Sequence, residues 1–219
     1  MFRTFESRQK AFEEIRGVYP VITAEFCGGR SPVEIAAAVL EGGAKIIQIR
    51  EKEMPDAPFF ELVTACRKLT LKYHALLIVD DRVDVALAAN ADGVHLGLDD
   101  LPPSAARRLA PELLIGLSTH NRQEMLAAQA LNPGYLNIGP IYPTETKKLP
   151  YAAVGEEELA RLLPAVKIPF TVMGGIKFHH LETLRSFGVC RVAAVTAFTQ
   201  AADPAAAVRQ WQEKLCDPR

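Results

Sequence analysis

The fold of this chain is decided by the stretch VYPVIT, residues 18–23, together with AEFCGG, residues 24–29, which follows it directly. The first part is a short apolar run with β-branched residues, which predicts a buried strand. In a doubly wound nucleotide-binding sheet, this strand would lead into the glycine spacing GxGxxG. The second part does not have that spacing, so the stretch favours a (β/α)8 barrel over an open sheet.

The rest of the chain alternates between short β-branched runs and helical patterns. The predicted strands are residues 18–23, 45–49, 76–79, 93–96, 113–117, 135–138, 170–173 and 191–195. The predicted helices between them are residues 32–41, 58–72, 83–89, 103–109, 122–130, 156–163, 179–187 and 204–215. Strict alternation implies parallel strands joined by right-handed crossovers, and eight such units in about 200–250 residues match a TIM barrel. The sequence thus predicts one α/β domain, a single (β/α)8 TIM barrel over residues 1–219.

An extra helix is predicted in front of the first strand. Residues 4–16 place Phe5, Phe12 and Ile15 on one side of a helical pattern. We therefore expect residues 1–17 to form an N-terminal helical extension, whose role the pattern does not define.

Composition narrows the class of function. The chain is 49% hydrophobic and 23% charged, as in a soluble globular protein with a sizeable core. A formal net charge of −1 argues against a general nucleic-acid binder but leaves phosphate ligands open, since these need only local cations. The charged N-terminus, the widely spaced cysteines and the lack of a long apolar run predict a cytoplasmic protein with no membrane partner. A homodimer is compatible with the sequence, which does not define the oligomeric state.

Polar residues follow the second predicted strand, at the end where TIM barrels place their active sites. Strand alternation puts Gln48 and Arg50 on the inner side of the barrel, and Lys52 follows them. A buried guanidinium is costly without a partner, and a phosphate or diphosphate would match its geometry. The alternative is a solvated strand end with an ion pair between Arg50 and Glu51.

Carboxylates follow the next two strands. Asp80 and Asp81 come after the third strand, and Asp99 and Asp100 come after the fourth. Carboxylates gathered in this way repel one another without a cation, and Mg²⁺ that bridges to substrate phosphates suits such oxygen-rich sites. The alternative is structural: Asp80 or Asp81 caps the following helix, and Asp99 and Asp100 lie in a turn.

Hydroxyl groups, a lysine and glycines follow the remaining strands. Ser118 ends the fifth strand, while nearby His120 is given no catalytic role. The sixth strand leads into GPIYPTETKK, residues 139–148, a loop whose hydroxyl and ammonium groups suit an anionic ligand better than a core. Paired glycines after the seventh strand and the end of the eighth predict a phosphate site, although Gly-Gly also occurs in ordinary turns. The residues concerned are Thr144, Thr146, Lys147, Gly174, Gly175, Val195 and Thr196.

Taken together, these segments resemble the thiamine phosphate synthase family. The matching segments, in the family's order, are QIREK (48–52), DRVD (81–84), ADGVHLG (91–97) with Asp99 and Asp100, GLSTH (116–120), GPIYPTETK (139–147), GGI (174–176) and AVTA (194–197). The resemblance implies a barrel that joins a hydroxymethylpyrimidine diphosphate to a thiazole phosphate and releases diphosphate with the help of Mg²⁺. It also implies that the pyrimidine forms a cation when diphosphate leaves.

The resemblance also implies a role for each matching residue. The pyrimidine diphosphate would be held by Gln48, Arg50, Lys52 and Lys147, with Asp80 at the position of an asparagine that contacts it. The metal would be bound by Asp81 and Asp100. The thiazole phosphate would be contacted by Thr144, Thr146, Gly175, Val195 and Thr196. Ser118 would lie beside the pyrimidine and the leaving group, so that Arg50, Ser118 and Lys147 are the expected catalytic residues.

Three positions depart from the family's pattern. Asp80 stands in place of asparagine, Leu98 in place of glutamine, and Thr196 in place of serine. A carboxylate near a diphosphate weakens binding unless Asp80 joins the metal shell or is protonated. Two alternatives therefore remain beside the synthase: a thiazole tautomerase on the same barrel, in which the histidine at position 120 is implicated, and a non-catalytic barrel that binds thiamine precursors. The loop at 139–147 and Asp100 favour the synthase.

Overall fold

The computed structural model of the protein describes residues 4–144, 146 and 152–216. Within these residues, eight parallel strands form a closed barrel in which each strand pairs with the next and the last pairs with the first. The predicted (β/α)8 barrel is therefore confirmed. The strands are β1 (Gly17–Ile22), β2 (Ile46–Ile49), β3 (Leu76–Asp80), β4 (Gly93–Leu96), β5 (Leu114–Thr119), β6 (Tyr135–Ile138), β7 (Phe170–Met173) and β8 (Arg191–Ala194).

Helices connect these strands and cover the outside of the barrel. They are α1 (Phe5–Glu14), α2 (Pro32–Glu41), α3 (Asp56–Tyr73), α4 (Val83–Ala88), α5 (Pro103–Leu109), α6 (Arg122–Ala130), α7 (Gly155–Leu162), α8 (Leu181–Ser186), α9 (Thr196–Thr199) and α10 (Pro204–Cys216). The predicted helix at 179–187 is divided, because a 3-10 turn at Phe178–His180 precedes α8. Helix α9 was not predicted, since four residues are too few to show a helical period.

Two apolar layers hold the barrel together. Outward-facing strand residues pack against the helices, while an inner cluster fills the barrel itself. Tyr135 occupies much of this interior, and a Cβ on the facing Gly116 would lie 2.1 Å from its ring. Glycine is therefore required on β5 for the tyrosine to fit. Burial of one such large side chain stabilises the fold by about 1.5–3 kcal/mol.

The N-terminal helix closes one end of the barrel. Phe12 of α1 is fully buried and stacks on Tyr135, with 4.3 Å between the ring centroids. The guanidinium of Arg191 donates hydrogen bonds to the carbonyl groups of Phe12 and Ile15, at 3.2 and 3.0 Å. The amphipathic helix expected from the sequence is thus confirmed, and it seals the N-terminal ends of the strands. The opposite end is left as the mouth of the barrel. In the part of the chain that is described, no helix has both the length and the apolar character to span a bilayer.

Candidate active site

A cavity of about 770 Å³ opens at the C-terminal ends of the strands. Its lining includes residues from every strand or from the loop that follows it. The site residues predicted from the sequence that line it are Gln48, Arg50, Lys52, Asp80, Asp81, Asp100, Ser118, Thr144, Thr146, Gly175, Val195 and Thr196. Lys147 lies outside the described residues. Side chains up to about 150 positions apart in the sequence thus meet in one space, because parallel strands bring all their carboxyl ends to one face.

One wall of the cavity carries cations that already face carboxylates. Arg50 Nε lies 3.3 Å from Asp80 Oδ2, and Lys52 Nζ lies 3.8 Å from the same oxygen. Lys52 also forms a direct ion pair with Asp81. The predicted alternative, an ion pair between Arg50 and Glu51, is not found: Glu51 instead accepts a hydrogen bond from the Ala24 amide at 2.6 Å. The cations therefore point into the cavity and are shared with carboxylates, which an anionic ligand can replace.

Burial, together with the crowding of carboxyl groups, shifts the pKa values of this wall. Burial, followed by repulsion from Asp81, raises the pKa of Asp80 to about 7. Burial and a hydrogen bond with Asp81 raise the pKa of Asp100. Burial opposes the charge on Lys52, but the facing carboxylates outweigh it and raise the pKa of this ammonium. This wall therefore contains more carboxylate charge than its two cations neutralise.

Of the two structural alternatives for these aspartates, the helix cap is not found and the turn is found. No side-chain cap is formed at the start of α4, so neither Asp80 nor Asp81 acts as a helix cap. Asp81 instead adopts a left-handed backbone conformation, with φ of 60°. Asp100 does lie in a turn, where Oδ2 accepts a hydrogen bond from the Gly97 amide at 2.7 Å. Leu98, in the same turn, is 61% exposed and does not line the cavity.

These carboxylates fit a hard divalent cation only together with a ligand. The side chains of Asp81 and Asp100 are close enough to hydrogen-bond, and excess negative charge there favours a cation. Among the described residues, however, no cluster of three or more histidine, cysteine or acidic side chains forms a complete metal site. Mg²⁺ commonly takes one or two carboxylates and completes its shell with water and substrate phosphates. The donor set therefore fits Mg²⁺ that arrives with a phosphorylated substrate.

A chain of hydrogen bonds crosses the floor of the cavity. Gln48 Nε2 donates to the Tyr19 hydroxyl at 3.0 Å, which lies 3.0 Å from the Tyr135 hydroxyl. The Tyr135 hydroxyl lies 3.1 Å from His95 Nδ1, and His95 Nε2 lies 2.9 Å from Ser118 Oγ. Two residues expected to contact substrate, Gln48 and Ser118, are thus joined through three buried side chains.

Glycines and hydroxyl groups form the opposite wall. Gly174 and Gly175 have φ of 94° and 65°, which side chains with a Cβ rarely adopt. A Cβ on Gly175 would lie 2.4 Å from the Pro143 carbonyl, so the loop that carries Thr144 packs directly on this turn. Nearby, Thr196 begins the short helix α9. Backbone amides at glycines and at a helix start can approach a phosphate group closely.

An aromatic stack fastens the loop after β6. The Tyr142 ring stacks on His180 with 3.7 Å between centroids, and its hydroxyl donates to Glu156 Oε1 at 2.5 Å. The stack joins the loop that carries Thr144 to the 3-10 turn after β7. It therefore holds the loop that carries Thr144 against this turn.

Sequence reasoning missed several cavity residues. Tyr19, His95 and Asn137 line the cavity from within their strands, whereas most of the predicted site residues lie at or after strand ends. The signal was available, because strand alternation places each of them on the inner face. His120 also lines the cavity, and its Nδ1 lies 2.7 Å from Glu124 Oε2.

Comparison with known proteins agrees with this geometry. A family model described as thiamine monophosphate synthase matches residues 18–198. A thiamine-phosphate synthase of Pelotomaculum thermopropionicum is 40% identical over 193 residues, which cover 88% of each chain. One from Pyrococcus horikoshii is 45% identical over 166 residues, or 75% of this chain and 80% of the relative.

Solved structures show the same relationship. The thiamine phosphate pyrophosphorylase of Pyrococcus furiosus superposes with a TM-score of 0.86 at 34% identity, covering 96% of this chain and 98% of its own. A geranylgeranylglyceryl phosphate synthase of Thermoplasma acidophilum reaches a TM-score of 0.73 at only 17% identity, which shows a shared fold alone. Because the family model spans most of the barrel and the relatives are about 40% identical over nearly all of the chain, the chain belongs to the thiamine monophosphate synthase family, whose members are transferases.

Proposed function

We propose that this protein is a thiamine phosphate synthase. It would join 4-amino-2-methyl-5-hydroxymethylpyrimidine diphosphate to hydroxyethylthiazole phosphate, carboxylated or not, and release diphosphate. One observation carries the proposal: a single cavity has a wall of cations and carboxylates from β2–β4 and a second wall of glycines and hydroxyls from β6–β8. Two separate anion sites in one space fit a reaction between two phosphorylated substrates.

The first wall suits the diphosphate. Arg50 and Lys52 would transfer from Asp80 and Asp81 to the diphosphate oxygens, with Lys147 as a further cation. Mg²⁺ held by Asp81 and Asp100 would neutralise part of the departing negative charge. Asp80, which departs from the family's pattern, has a pKa near 7 and can be protonated when the diphosphate binds beside it. Preorganised charge of this kind is the main requirement of a step in which diphosphate leaves.

The second wall suits the thiazole phosphate. Backbone groups at Gly175, Val195 and Thr196 would hold the phosphate, and Thr144 and Thr146 would add hydroxyl donors. Ser118 lies between the two walls, where it would contact the pyrimidine and the leaving group. The thiazole nitrogen can then attack the pyrimidine cation, and correct placement of the two rings supplies much of the remaining rate acceleration.

A thiazole tautomerase is the second candidate, and His120 is the observation that favours it. The imidazole lines the cavity and is oriented by Glu124, as a group that moves protons would be. The carboxylate wall has no evident use in that reaction, which involves no diphosphate. The synthase therefore accounts for more of the cavity.

An assay with both substrates distinguishes the candidates. The purified protein, with both substrates and Mg²⁺, should release diphosphate in equal amount to thiamine phosphate, and chelation of the metal should stop the reaction. Lys147→Ala should depress turnover strongly while the circular dichroism spectrum stays unchanged. Isomerised thiazole phosphate without joined product would identify a tautomerase, and no reaction with either substrate would leave a binding protein.

A further inference from the structure

Asn137 is a cavity residue to which neither the family resemblance nor the proposed chemistry gives a role. It lies on β6 between Ser118 on β5 and Thr171 on β7, which are its partners in the sheet register. Its side chain points into the barrel, lines the cavity and is only 4% exposed. It therefore faces any ring that binds beside Ser118.

Among the described residues, only the nitrogen of the Asn137 side-chain amide has a hydrogen-bond partner. Its Nδ2 lies 2.6 Å from Met173 Sδ, whereas its Oδ1 has no hydrogen-bond partner in the described part of the chain. An unpaired buried carbonyl is destabilising, so such groups are rare unless a ligand completes them. The neighbouring Ser118 hydroxyl pairs with His95 at 2.9 Å and makes no hydrogen bond to this carbonyl. The carbonyl is therefore an acceptor that the N–H group of a ligand can satisfy.

Only one group on the two substrates of the proposed function matches this acceptor. The phosphate groups and the ring nitrogens act as acceptors, while the exocyclic amine of the pyrimidine is a neutral N–H donor. We propose that Asn137 Oδ1 accepts a hydrogen bond from this amine, which makes Asn137 the residue that selects a 4-aminopyrimidine. The inference rests on the proposed synthase function and assigns a specific contact within it.

The same hydrogen bond would strengthen during the reaction. When the bond between the methylene carbon and the diphosphate oxygen breaks, the electron pair leaves with diphosphate and the amine donates electron density to the ring. The amine hydrogens become more acidic, so their bond to Asn137 Oδ1 gains strength in the cation. The thiazole nitrogen then supplies the electron pair for the new carbon–nitrogen bond, and Asn137 exchanges no proton. An interaction that is stronger in the transition state raises turnover as well as selectivity.

The test compares two pyrimidine diphosphates, one with the amine and one with hydrogen in its place. The ratio of kcat/KM for the two compounds is measured in the wild type and in variants, so that the lower intrinsic reactivity of the second compound cancels between enzymes. Asn137→Leu removes the acceptor, Asn137→Ala serves if leucine disturbs folding, and Asn137→Asp keeps an acceptor in place. Thr171→Val is the matched control, since Thr171 is a buried neighbour that does not line the cavity.

We expect the preference for the aminopyrimidine to fall by about tenfold or more in Asn137→Leu and Asn137→Ala, in line with the loss of one buried hydrogen bond. The preference should persist in Asn137→Asp and in Thr171→Val. An unchanged preference in folded Asn137→Leu and Asn137→Ala would overturn the inference while leaving the synthase intact. A wild type that makes no thiamine phosphate would instead overturn the proposed function.

Discussion

The two ends of this barrel contain the same kinds of charged residue in opposite situations. At the N-terminal end, Asp92 is fully buried and receives two hydrogen bonds from Arg67, at 2.6 and 3.0 Å, and one from the Leu77 amide at 2.9 Å. At the mouth, Arg50 Nε lies 3.3 Å from Asp80 Oδ2, and both side chains line the cavity. Charges at the closed end are matched by the protein itself, whereas those at the mouth remain available to a ligand.

The difference shows why burial of charge alone does not locate a functional site. The paired charges of Arg67 and Asp92 stabilise the position of α3 against the barrel, so their removal should affect folding. At the mouth, burial and then repulsion from Asp81 raise the pKa of Asp80, so the charges there are not fully balanced, and their removal should affect binding and turnover. Four substitutions test this contrast.

The largest effect is expected at the closed end. Asp92→Ala leaves Arg67 and the Leu77 amide without their partner, and loss of one member of a buried ion pair costs about 3–5 kcal/mol. The free energy of unfolding, measured by urea denaturation, should fall by that amount. Asp56→Ala is the control, since Asp56 pairs with Arg82 but its side chain is 81% exposed, and its loss should cost less than about 1 kcal/mol. Equal losses of stability in Asp92→Ala and Asp56→Ala would contradict the distinction between a buried and an exposed ion pair.

Arg50→Ala tests the mouth. Turnover should fall by about 100-fold or more, because a preorganised charge beside the diphosphate is lost. The urea midpoint should stay close to that of the wild type. Asp80 loses a cationic partner, but its carboxyl group can then be protonated. Initial rates with both substrates and Mg²⁺ provide the measurement. A large loss of stability with little loss of turnover would place Arg50 in the same class as Arg67.

Asp80→Asn tests the contrast through the pH dependence of the free energy of unfolding. Since burial raises the pKa of Asp80 to about 7, the folded protein binds a proton more tightly than the unfolded chain, and stability should decline as pH rises from about 4 to 7. Asp80→Asn removes this decline. In the absence of divalent cations it should be more stable than the wild type at pH 8 and similar in stability at pH 4. A constant difference across this range would contradict the assignment.

The smallest effect is expected inside the barrel, where the two ends meet. Tyr135→Phe keeps the stack on Phe12 but removes the hydroxyl that joins Tyr19 to His95. Orientation of Ser118 should suffer, so kcat should fall by about three- to tenfold, the value of one buried hydrogen bond. KM for the thiazole phosphate should not change. Tyr73→Phe, at the half-buried end of α3 and away from the cavity, controls for the loss of a phenol. A change confined to stability would mean that the hydrogen-bond chain supports only the core.

Much of the fold was predictable from local patterns. The β-branched runs and helical periods located every strand and helix of the barrel except α9, with ends displaced by one or two residues in most cases. In the structure, helices α2 and α6 are capped by Ser31 and Asn121, whose side-chain oxygens accept hydrogen bonds from backbone amides of their helices. The division of the helix before α8 was not visible, because a 3-10 turn has no strong residue preference.

The site was predictable where residues follow strands and less so where they lie within them. Arg50, Asp81 and Thr144 stand out because polar residues interrupt an apolar pattern. His95 and Asn137 lie inside short strands, where alternation places them on the inner face but does not show that the barrel interior is open at that level.

The sequence by itself determined the order of strands and helices, the barrel and the set of polar side chains at its mouth, since these follow from periodicity and from the common direction of parallel strands. Only the tertiary structure decided which charges are paired and which face the cavity. Pairing depends on distances between chain segments far apart in sequence, and on the packing of Tyr135 against Gly116, which sets the depth of the cavity floor. For that reason the unpaired carbonyl of Asn137 became visible only in three dimensions.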